Sequence, residues 1–355
     1  MICKDCNSCV VGWIKNRPDE AWCIGVKHPF PISDINAECT EYFDTPDETV
    51  MHTTINFTPE GNLPPKFIML VGIPGSGKTY KAKQLKEHLE KQCSVIHISS
   101  DNIRKQLYGD ENCQKDPAKV FSIMHEKTLE ALNNGTTVIY DATNMTRKNR
   151  KEILDKLPAF VVKKCIVCWA PIEVCIERDK ARDRTVGVAG IDKMVRRFEA
   201  PYYDEGFNEI TVSIDGLYYN YKQYYTDLLS AIDIPHDNPH HTADILEHCY
   251  LCGTGLLNSA VPRVVVNAGF VHDIGKAYTK TFTNRKGEVF DIAHYYDHQA
   301  VGAWLSYGIV GHNPTLAWLI SSHMAPFINQ KYYNSLPPYL KKWIDALHTA
   351  DKAAH

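Results

Sequence analysis

Short apolar segments alternate with amphipathic segments through the middle of this 355-residue chain. The apolar runs end at glycine or polar turn residues, as buried parallel strands do. We place strands at 67–72, 94–99 and 136–140, and a fourth in two pieces at 160–162 and 164–169. Residues 77–92 and 115–133 carry helical spacing of their apolar positions. This alternation predicts an α/β fold, a parallel sheet with helices on both faces.

The pattern changes on either side of this domain. Polar, proline-containing stretches at 57–66 and 233–239 have the turn chemistry of linkers. Beyond the second linker the strand alternation stops, and short helices joined by Gly-, Pro- and Asn-rich loops are predicted. We therefore predict three parts: a small N-terminal module at 1–58, the α/β domain at 59–233 and an all-α domain at 234–355.

Charge limits the classes of function. The net charge of −3, from 39 basic and 42 acidic residues, excludes a protein that coats nucleic acid by bulk positive charge. A local basic groove stays open, because residues 147–184 hold 11 basic against 6 acidic side chains. No apolar stretch approaches ~18 residues and no signal-peptide h-region opens the chain, so we expect no membrane partner and a cytoplasmic location.

The first predicted strand runs into the sequence Gly72-Ile-Pro-Gly75-Ser76-Gly77-Lys78-Thr79, which fits the phosphate-loop pattern G-x-x-x-x-G-K-[ST]. Glycines let backbone N–H groups turn toward phosphate oxygens, and the following helix N-terminus adds partial positive charge. Lys78 is expected to bridge the β- and γ-phosphates of ATP, and the Thr79 hydroxyl to ligate Mg²⁺.

Polar residues follow the ends of the next two strands, where an open α/β sheet binds its ligands. Asp101 can accept a proton from an attacking hydroxyl, and Arg104, three residues on, can hold a phosphate. A helix-capping aspartate beside a surface arginine is the alternative. Asp141 is placed to orient Mg²⁺. Asn144 and Arg147 follow at the same rim as candidate substrate contacts.

A charged segment further along is a candidate lid. Arg178 and Arg182 are four residues apart and share one face of a helix. Such a segment can bring arginines onto ATP and the transferring phosphoryl group. The alternative is a solvated charged helix, because Asp179 and Asp183 are interleaved with the arginines.

The set GIPGSGKT, SDNIR, DATNMTRKNR, RDKAR and PYYDEGF, in this order within 66–220, resembles the 5′-hydroxyl polynucleotide kinases of the phage RNA-repair type. The resemblance implies phosphoryl transfer from ATP to a 5′-OH nucleic acid end. Asp101 would be the general base, Arg104 a contact to the acceptor's 3′-phosphate and Arg182 the lid arginine. Family members often carry Val-Pro after the lid arginine. Here that stretch reads Thr185-Val-Gly-Val-Ala-Gly190, which leaves Arg184 as an alternative.

Histidine is concentrated in the last part of the chain, where 11 of the 16 histidines follow residue 235. His272 and Asp273 are adjacent in an apolar segment, and a metal ion would compensate the cost of burying the carboxylate. A helix-capping pair is the alternative. The other candidate ligands are His241, His298, His323 and Asp351. Imidazole with carboxylate suits Mn, Fe, Ni, Co or Zn rather than calcium.

The order of these residues, with Lys276 in His272-Asp-Ile-Gly-Lys and Asp351 in Ala-Asp-Lys, resembles the HD phosphohydrolase superfamily over about 236–355. In particular it is similar to HD domains linked to tRNA-end and RNA-repair enzymes. The resemblance implies one metal ion bound by His241, His272, Asp273 and Asp351. His298 and His323 would complete a second metal position, and Lys276 would contact the phosphate.

Cysteine is concentrated at the start of the chain. Five of the 12 cysteines are Cys3, Cys6, Cys9, Cys23 and Cys39. Closely spaced thiolates can converge on one ion, so zinc and an iron–sulfur cluster are both open. A reduced cysteine-rich segment without metal is the alternative. The later cysteines lie in apolar runs and are expected to be reduced core thiols.

The two resemblances point at opposite ends of one broken strand. We therefore expect a bifunctional enzyme that heals RNA or DNA ends. Its HD domain would remove a 2′,3′-cyclic or 2′/3′-terminal phosphate, its kinase would phosphorylate the 5′-OH, and a separate RNA ligase would be the partner. One rival is a nucleoside or small-metabolite kinase fused to an HD nucleotide phosphohydrolase. The other is a non-enzymatic P-loop regulator that uses the HD fold as a ligand sensor.

Overall fold

The computed structural model of the chain describes residues 9–10, 20–23, 30–31, 64–111, 113–182, 185–214, 220–239, 242–309 and 312–354. The chain divides into two compact units, one of residues 49–217 and one of residues 1–48 together with 218–355. The first unit thus ends before residue 218, whereas linker chemistry predicted a boundary after 233. The three-part division stays a prediction.

Three short strands near the N-terminus form an antiparallel sheet. They are β1 (Cys9–Val10), β2 (Glu20–Cys23) and β3 (Phe30–Pro31). β1 and β2 pair so that the backbone of Cys9 lies opposite that of Cys23. Cys3, Cys6 and Cys39 lie outside the described residues. The metal-binding module therefore stays a prediction.

A five-stranded sheet forms the centre of the unit at 49–217. Its strands are β4 (Lys66–Val71), β5 (Val95–Ser99), β6 (Thr137–Asp141), β7 (Val162–Cys168) and β8 (Glu209–Ser213). All neighbours are parallel, in the order β5-β6-β4-β7-β8. The predicted parallel sheet is confirmed, with two differences. The two pieces of the fourth predicted strand are one strand, and β8 was not predicted.

Helices flank this sheet. They are α1 (Lys78–Leu89), α2 (Ser100–Tyr108), α3 (Pro117–Asn133), α4 (Arg147–Leu154), α5 (Ile172–Lys180) and α6 (Val188–Val195), with a 3₁₀ turn at Tyr203–Glu205. The start of α3 follows from its sequence, because Asp116 accepts a hydrogen bond from the N–H of Lys119 at 3.0 Å and Pro117 occupies the first helical position.

The central strand β4 is apolar at almost every position because both of its faces are covered. Phe67, Met69, Leu70 and Val71 are all 0% exposed. A strand buried on both faces needs no polar alternation. The loop that follows β4 is therefore anchored in the best-packed part of the unit.

The described part of the C-terminal segment is mostly helical. Its helices are α7 (Tyr221–Ala231), α8 (Ile245–Leu256), α9 (Arg263–Val271), α10 (Lys276–Thr279), α11 (His298–Ser306), α12 (Pro314–Ser322), α13 (Ala325–Ile328), α14 (Gln330–Ser335) and α15 (Pro338–Ala353). No helix among the described residues is long and apolar enough to cross a membrane.

This segment is not all-α as predicted, because an antiparallel hairpin of β9 (Lys280–Thr283) and β10 (Val289–Tyr295) interrupts it. The turn is shaped by Asn284, whose side-chain oxygen accepts hydrogen bonds from the N–H groups of Lys286 and Glu288. Thr, Val, Ile and Phe in the two strands favour the extended conformation. The hairpin signal was therefore present in the sequence.

Candidate active sites

The phosphate loop connects β4 to α1 and requires glycine at its tightest point. Gly75 has a φ of +81°, and a Cβ there would lie 2.3 Å from the carbonyl oxygen of Cys175. Because that neighbour is backbone, no side chain fits. The N–H of Gly72 donates to the Thr143 carbonyl at 3.0 Å, which ties the loop to the segment after β6. Gly77, at φ 99°, precedes α1.

Two polar side chains of this loop suit an anionic ligand. The ammonium of Lys78 donates to the carbonyl oxygen of Ile73 across the loop at 2.8 Å, and desolvation lowers the pKa of Lys78. The hydroxyl of Ser76 is buried and makes no hydrogen bond among the described residues. Such an orphaned donor, beside N–H groups at a helix start, fits a phosphate oxygen.

A cavity of about 860 Å³ opens beside the loop; we call it the kinase cavity. Its walls include the predicted residues Lys78, Thr79, Asp101, Arg104, Asp141 and Arg182. These residues come from the loop, from the ends of β5 and β6, and from the segment after α5. The fold thus brings together six candidate residues that lie far apart in the sequence.

His97 also lines this cavity, and the sequence analysis missed it. Its Nε2 lies 3.1 Å from Oδ2 of Asp141. Residues two apart on a strand share a face, so His97 had to lie on the same side of β5 as Ser99 at the strand's end. The two-residue alternation of side chains along a strand was the sequence signal for His97.

Asp101 and Arg104 lie one turn apart at the start of α2. Nη1 of Arg104 donates to Oδ1 of Asp101 at 2.9 Å. The side chain of Asp101 is 50% exposed and that of Arg104 only 9%. Nε of Arg104 is buried and makes no hydrogen bond among the described residues. Asp101 thus uses only part of the Arg104 guanidinium, which has five N–H donors, and Asp101 is accessible to a ligand in the cavity.

Asn144 and Arg147 are not among the described residues that line the kinase cavity. Asn144 is buried, and its amide donates to the Leu70 carbonyl at 2.7 Å. Nη1 of Arg147 donates to the Asp204 carboxylate at 2.9 Å. The first contact holds the backbone of β4, and the second holds the 3₁₀ turn at Tyr203–Glu205. Asn149, from the same helix as Arg147, lines the cavity instead.

The two arginines of the predicted lid, Arg178 and Arg182, have different surroundings. Arg178 donates to the Gly75 carbonyl at 3.3 Å and so contacts the phosphate loop, whereas Arg182 lines the cavity. Asp179 between them is 1% exposed, and its Oδ2 accepts hydrogen bonds from the N–H groups at 186 and 187, both at 2.8 Å. α5 is therefore not a solvated charged helix. Arg184 lies outside the described residues, so the choice between Arg182 and Arg184 stays open.

The C-terminal segment contains a second cluster of chemically active side chains, here called the His/Asp cluster. It consists of two groups of three, His248, His272 and Asp351, and Asp273, His298 and His323. Within each group the potential ligand atoms lie within 4.8 Å of one another. Asp273 faces both groups, with Oδ2 3.4 Å from Nε2 of His272 and Oδ1 3.3 Å from Nε2 of His298.

Backbone carbonyls orient all four imidazoles. Nδ1 of His272 lies 3.0 Å from the Gly269 carbonyl oxygen, and the other Nδ1 contacts are His298 to Tyr295 at 2.8 Å, His323 to Ile320 at 2.7 Å and His248 to Ala354 at 3.3 Å. A carbonyl only accepts, so each Nδ1 must carry the hydrogen and each neutral ring presents the Nε2 lone pair inward.

The inward-facing nitrogens lie close together in pairs. Nε2 of His248 is 3.3 Å from Nε2 of His272, and Nε2 of His298 is 3.2 Å from Nε2 of His323. Two facing lone pairs repel, so a cation must lie between the rings of each pair. It is a metal ion or, for His248 and His272, a proton, because burial alone would lower the pKa of His272 but Asp273 and two cysteines raise it well above its usual value. Imidazoles whose outer nitrogens are held by carbonyls are typical of metal ligands. The donor set therefore fits a transition metal.

Lys276 lies at the edge of this cluster. Its ammonium is 2.6 Å from Oδ2 of Asp273 and 3.2 Å from Nε2 of His236. Burial alone would raise the pKa of Asp273, but Lys276 and the surrounding histidines lower it well below its usual range. Burial lowers the pKa of His323 to about 3. The carboxylate is thus ionised and that imidazole neutral, the forms that bind metal.

His248 is a member of the cluster that the sequence analysis missed. The sequence predicts His241 as the first ligand, and His241 lies outside the described residues. His248 is 0% exposed and sits in the apolar run Ile245-Leu-Glu-His-Cys-Tyr-Leu-Cys252 of α8. A polar ring in an apolar helix, seven residues after His241, was the available signal.

Parallel sheet, phosphate loop and cavity together define a kinase-type P-loop domain. Residues 67–201 match the family model described as AAA domain. A curated relative is the Protein KTI12 homolog of Xenopus laevis, 29% identical over 141 residues, which are 38% of this chain and 50% of that protein. The chain therefore spans about half the length of this relative.

Solved structures similar to the chain include the Pnkp1/Rnl/Hen1 RNA repair complex, at 22% identity and a TM-score of 0.35, covering 39% of this chain and 45% of that one. A gluconokinase from Sinorhizobium meliloti 1021 is 16% identical with a TM-score of 0.31, over 44% of this chain and 86% of that one. A shikimate kinase from Acinetobacter baumannii is 18% identical with a TM-score of 0.30, over 48% and 94%.

Proposed function

We propose that the protein is a bifunctional end-healing enzyme, which phosphorylates the 5′-OH end of a nucleic acid and removes a 2′,3′-cyclic or terminal phosphate from the other end. The observation that carries the kinase half is the pairing of Asp101 with a buried Arg104 across the cavity from the phosphate loop. A carboxylate that can accept a proton, beside an arginine that can bind an anion, suits an acceptor that carries both a hydroxyl and a phosphate.

In the kinase reaction, Asp101 accepts the proton of the 5′-hydroxyl as its oxygen attacks the γ-phosphorus of ATP, and ADP leaves. Arg104 holds the 3′-phosphate of the acceptor nucleotide through guanidinium N–H groups that Asp101 does not use. Lys78 and Arg182, both lining the cavity, face the charge that develops on the transferring group. Thr79 and Asp141 would hold Mg²⁺, which neutralises phosphate charge when bound.

In the hydrolase reaction, the His/Asp cluster would hold one or two metal ions from the Mn, Fe, Ni, Co and Zn group. Such ions polarise a phosphoryl oxygen and lower the pKa of water. The described ligands are His248, His272, Asp273, His298, His323 and Asp351. Lys276, ion-paired with Asp273, is placed to contact a phosphate oxygen. His241 stays a proposed ligand from outside the described residues.

The kinase half is tested with radiolabelled ATP, Mg²⁺ and oligonucleotides that end in a 5′-OH. We expect label transfer, its loss in Lys78→Ala, and a loss of at least 100-fold in Asp101→Asn. Asp273→Ala is the matched control, because it leaves the phosphate loop intact. Transfer to free nucleosides or sugars but not to oligonucleotides would support the small-molecule kinase hypothesis instead.

The hydrolase half is tested with an oligonucleotide 2′,3′-cyclic phosphate and added Mn²⁺, Ni²⁺ or Zn²⁺. We expect phosphate release that Asp273→Ala abolishes and Lys78→Ala preserves. Metal content measured by mass spectrometry tests the two candidate histidines separately. His248→Ala should lower the metal content, and His241→Ala tests whether His241 is also a ligand. Unchanged metal content in His248→Ala would contradict the proposed ligand set.

A further inference from the structure

A second cavity, of about 790 Å³, lies between α3 and α4; we call it the helix groove. The face that α3 turns to it consists of Pro117, Ala118, Phe121, Ser122 and His125, which follow the helical period. α4 and the residues after it supply Lys148, Asn149, Lys151, Glu152, Asp155 and Lys156. No residue of the phosphate loop lines this groove.

The helix groove adjoins the kinase cavity. Pro117, Phe121 and Asn149 line both. The kinase cavity also contains Asp101 and Arg104, the residues proposed to meet the acceptor. An acceptor longer than one nucleotide has to leave the kinase cavity, and the helix groove offers it a path along the protein surface.

The charges of the groove suit a strand of phosphodiesters. The groove is lined by three lysines and two acidic residues, namely Lys148, Lys151, Lys156, Glu152 and Asp155. Lys151 is paired with Asp155 at 2.7 Å. Lys148 and Lys156 are exposed, and exposed lysines attract phosphate without demanding a fixed geometry.

His125 and Phe121, on the α3 side of the groove, also suit a nucleic acid strand. His125 is buried, and its Nδ1 lies 3.4 Å from the ammonium of Lys156. Burial, reinforced by Lys156, lowers the pKa of His125, so the neutral ring accepts this hydrogen bond and holds the lysine over the groove. The half-buried ring of Phe121 at the junction offers a surface on which a base can stack.

We propose that the helix groove binds the second nucleotide of the acceptor strand, with Lys148 and Lys156 on its 3′-phosphate and Phe121 beside its base. This proposal rests on the proposed kinase function and specifies its substrate class as an oligonucleotide. A nucleoside or sugar would fill only the kinase cavity. An oligonucleotide would fill both cavities, and each phosphate bound by a lysine would add salt-dependent affinity.

The test is a series of 5′-OH acceptors: a nucleoside 3′-phosphate, a dinucleotide 3′-phosphate and a tetranucleotide, each assayed for label transfer. For the native protein we expect kcat/KM to rise from the first to the second acceptor and then to level off. In Lys148→Ala/Lys156→Ala this rise should shrink by roughly three- to tenfold. The slope of log KM against log salt should fall by ~0.7 for each phosphate that no longer binds a lysine.

Lys91→Ala, an exposed lysine outside both cavities, is the matched control and should keep both the rise and the slope. Phe121→Leu should lose part of the rise while keeping the salt slope. Transfer that is equal for all acceptor lengths, or an equal loss at every length in the double variant, would overturn the groove but leave the kinase proposal standing. Transfer to none of the acceptors would overturn the kinase proposal itself.

Discussion

His97 and Asp141 contact each other across neighbouring parallel strands, with Nε2 of the imidazole 3.1 Å from Oδ2 of the carboxylate. Asp141 is largely buried at the end of β6, with 8% of its side chain exposed. The contact leaves its other oxygen, Oδ1, for a ligand in the kinase cavity. His97 is therefore a positioning residue for the carboxylate proposed to orient Mg²⁺.

Removing this contact should weaken the response to Mg²⁺. We expect His97→Leu to raise the Mg²⁺ concentration needed for half-maximal label transfer by about tenfold, because residues behind a metal ligand commonly affect metal affinity to this extent. His97→Gln can still donate to Asp141 and should recover part of the loss. Titrations of activity against Mg²⁺ at saturating ATP measure both. Equal Mg²⁺ requirements in the native protein and His97→Leu would contradict the assignment.

Breaking the buried ion pair of Arg150 and Glu205 should strongly destabilise this unit. Arg150 is 0% exposed, and its Nε and Nη2 each donate to Glu205 at 2.7 Å. Removing one partner leaves the other charge buried, which costs about 3–5 kcal/mol. Arg150→Met should therefore lower the free energy of unfolding by that amount in a urea titration.

Two further variants make this measurement specific. Arg196→Ala breaks an exposed pair with Asp192 and should cost at most about 1 kcal/mol. Arg150→Met/Glu205→Gln should cost less than the sum of the single changes, because no unpaired charge remains. Additive losses would mean that the two side chains do not act as a pair.

Gly275 should be intolerant of any side chain. A Cβ there would lie 2.0 Å from the carbonyl oxygen of His298 and 2.6 Å from the backbone nitrogen of Gly302. Gly275→Ala must push α11 away and move His298 from Asp273, so we expect reduced metal content together with lower stability. Gly255→Ala is the control, since its nearest contact would be 3.9 Å and alanine favours the helix. Normal metal content in Gly275→Ala would be the contrary result.

The stability of the unit at 49–217 should fall in mildly acid solution. Burial and Lys156 lower the pKa of His125 below its ordinary value, which is about 6.5 in an unfolded chain. As the pH falls below ~6.5 the unfolded chain binds a proton that the folded chain refuses, so folding is weakened. The difference in unfolding free energy between the native protein and His125→Asn should therefore shrink from pH 7.5 to pH 5.5. Gln84→Ala, at an exposed and non-titrating position of α1, is the control, and its difference from the native protein should stay constant from pH 7.5 to pH 5.5.

The sequence predicted most of the α/β architecture because its signals are local. A strand buried on both faces is apolar throughout, as β4 is. The glycines that follow it are a second local signal, because glycine readily adopts the positive φ angles that a phosphate loop requires. The roles of Asn144 and Arg147 were harder to predict, because their partners Leu70 and Asp204 lie 74 and 57 residues away. The same holds for His248 in α8, because its group also requires His272 at the end of α9 and Asp351 in α15.

The position of β4 in the sheet has a consequence for local opening. β4 is flanked on both edges, by β6 and β7, whereas β5 pairs only with β6 and exposes Ile96 by 39%. Amide protons of β4 should therefore exchange with solvent only on global unfolding, and those of β5 through smaller fluctuations. The half of the kinase cavity that would bind the nucleotide is thus attached to the slowest-exchanging segment. The half with Asp101 and Arg104 follows an edge strand that can adjust to acceptors of different shape.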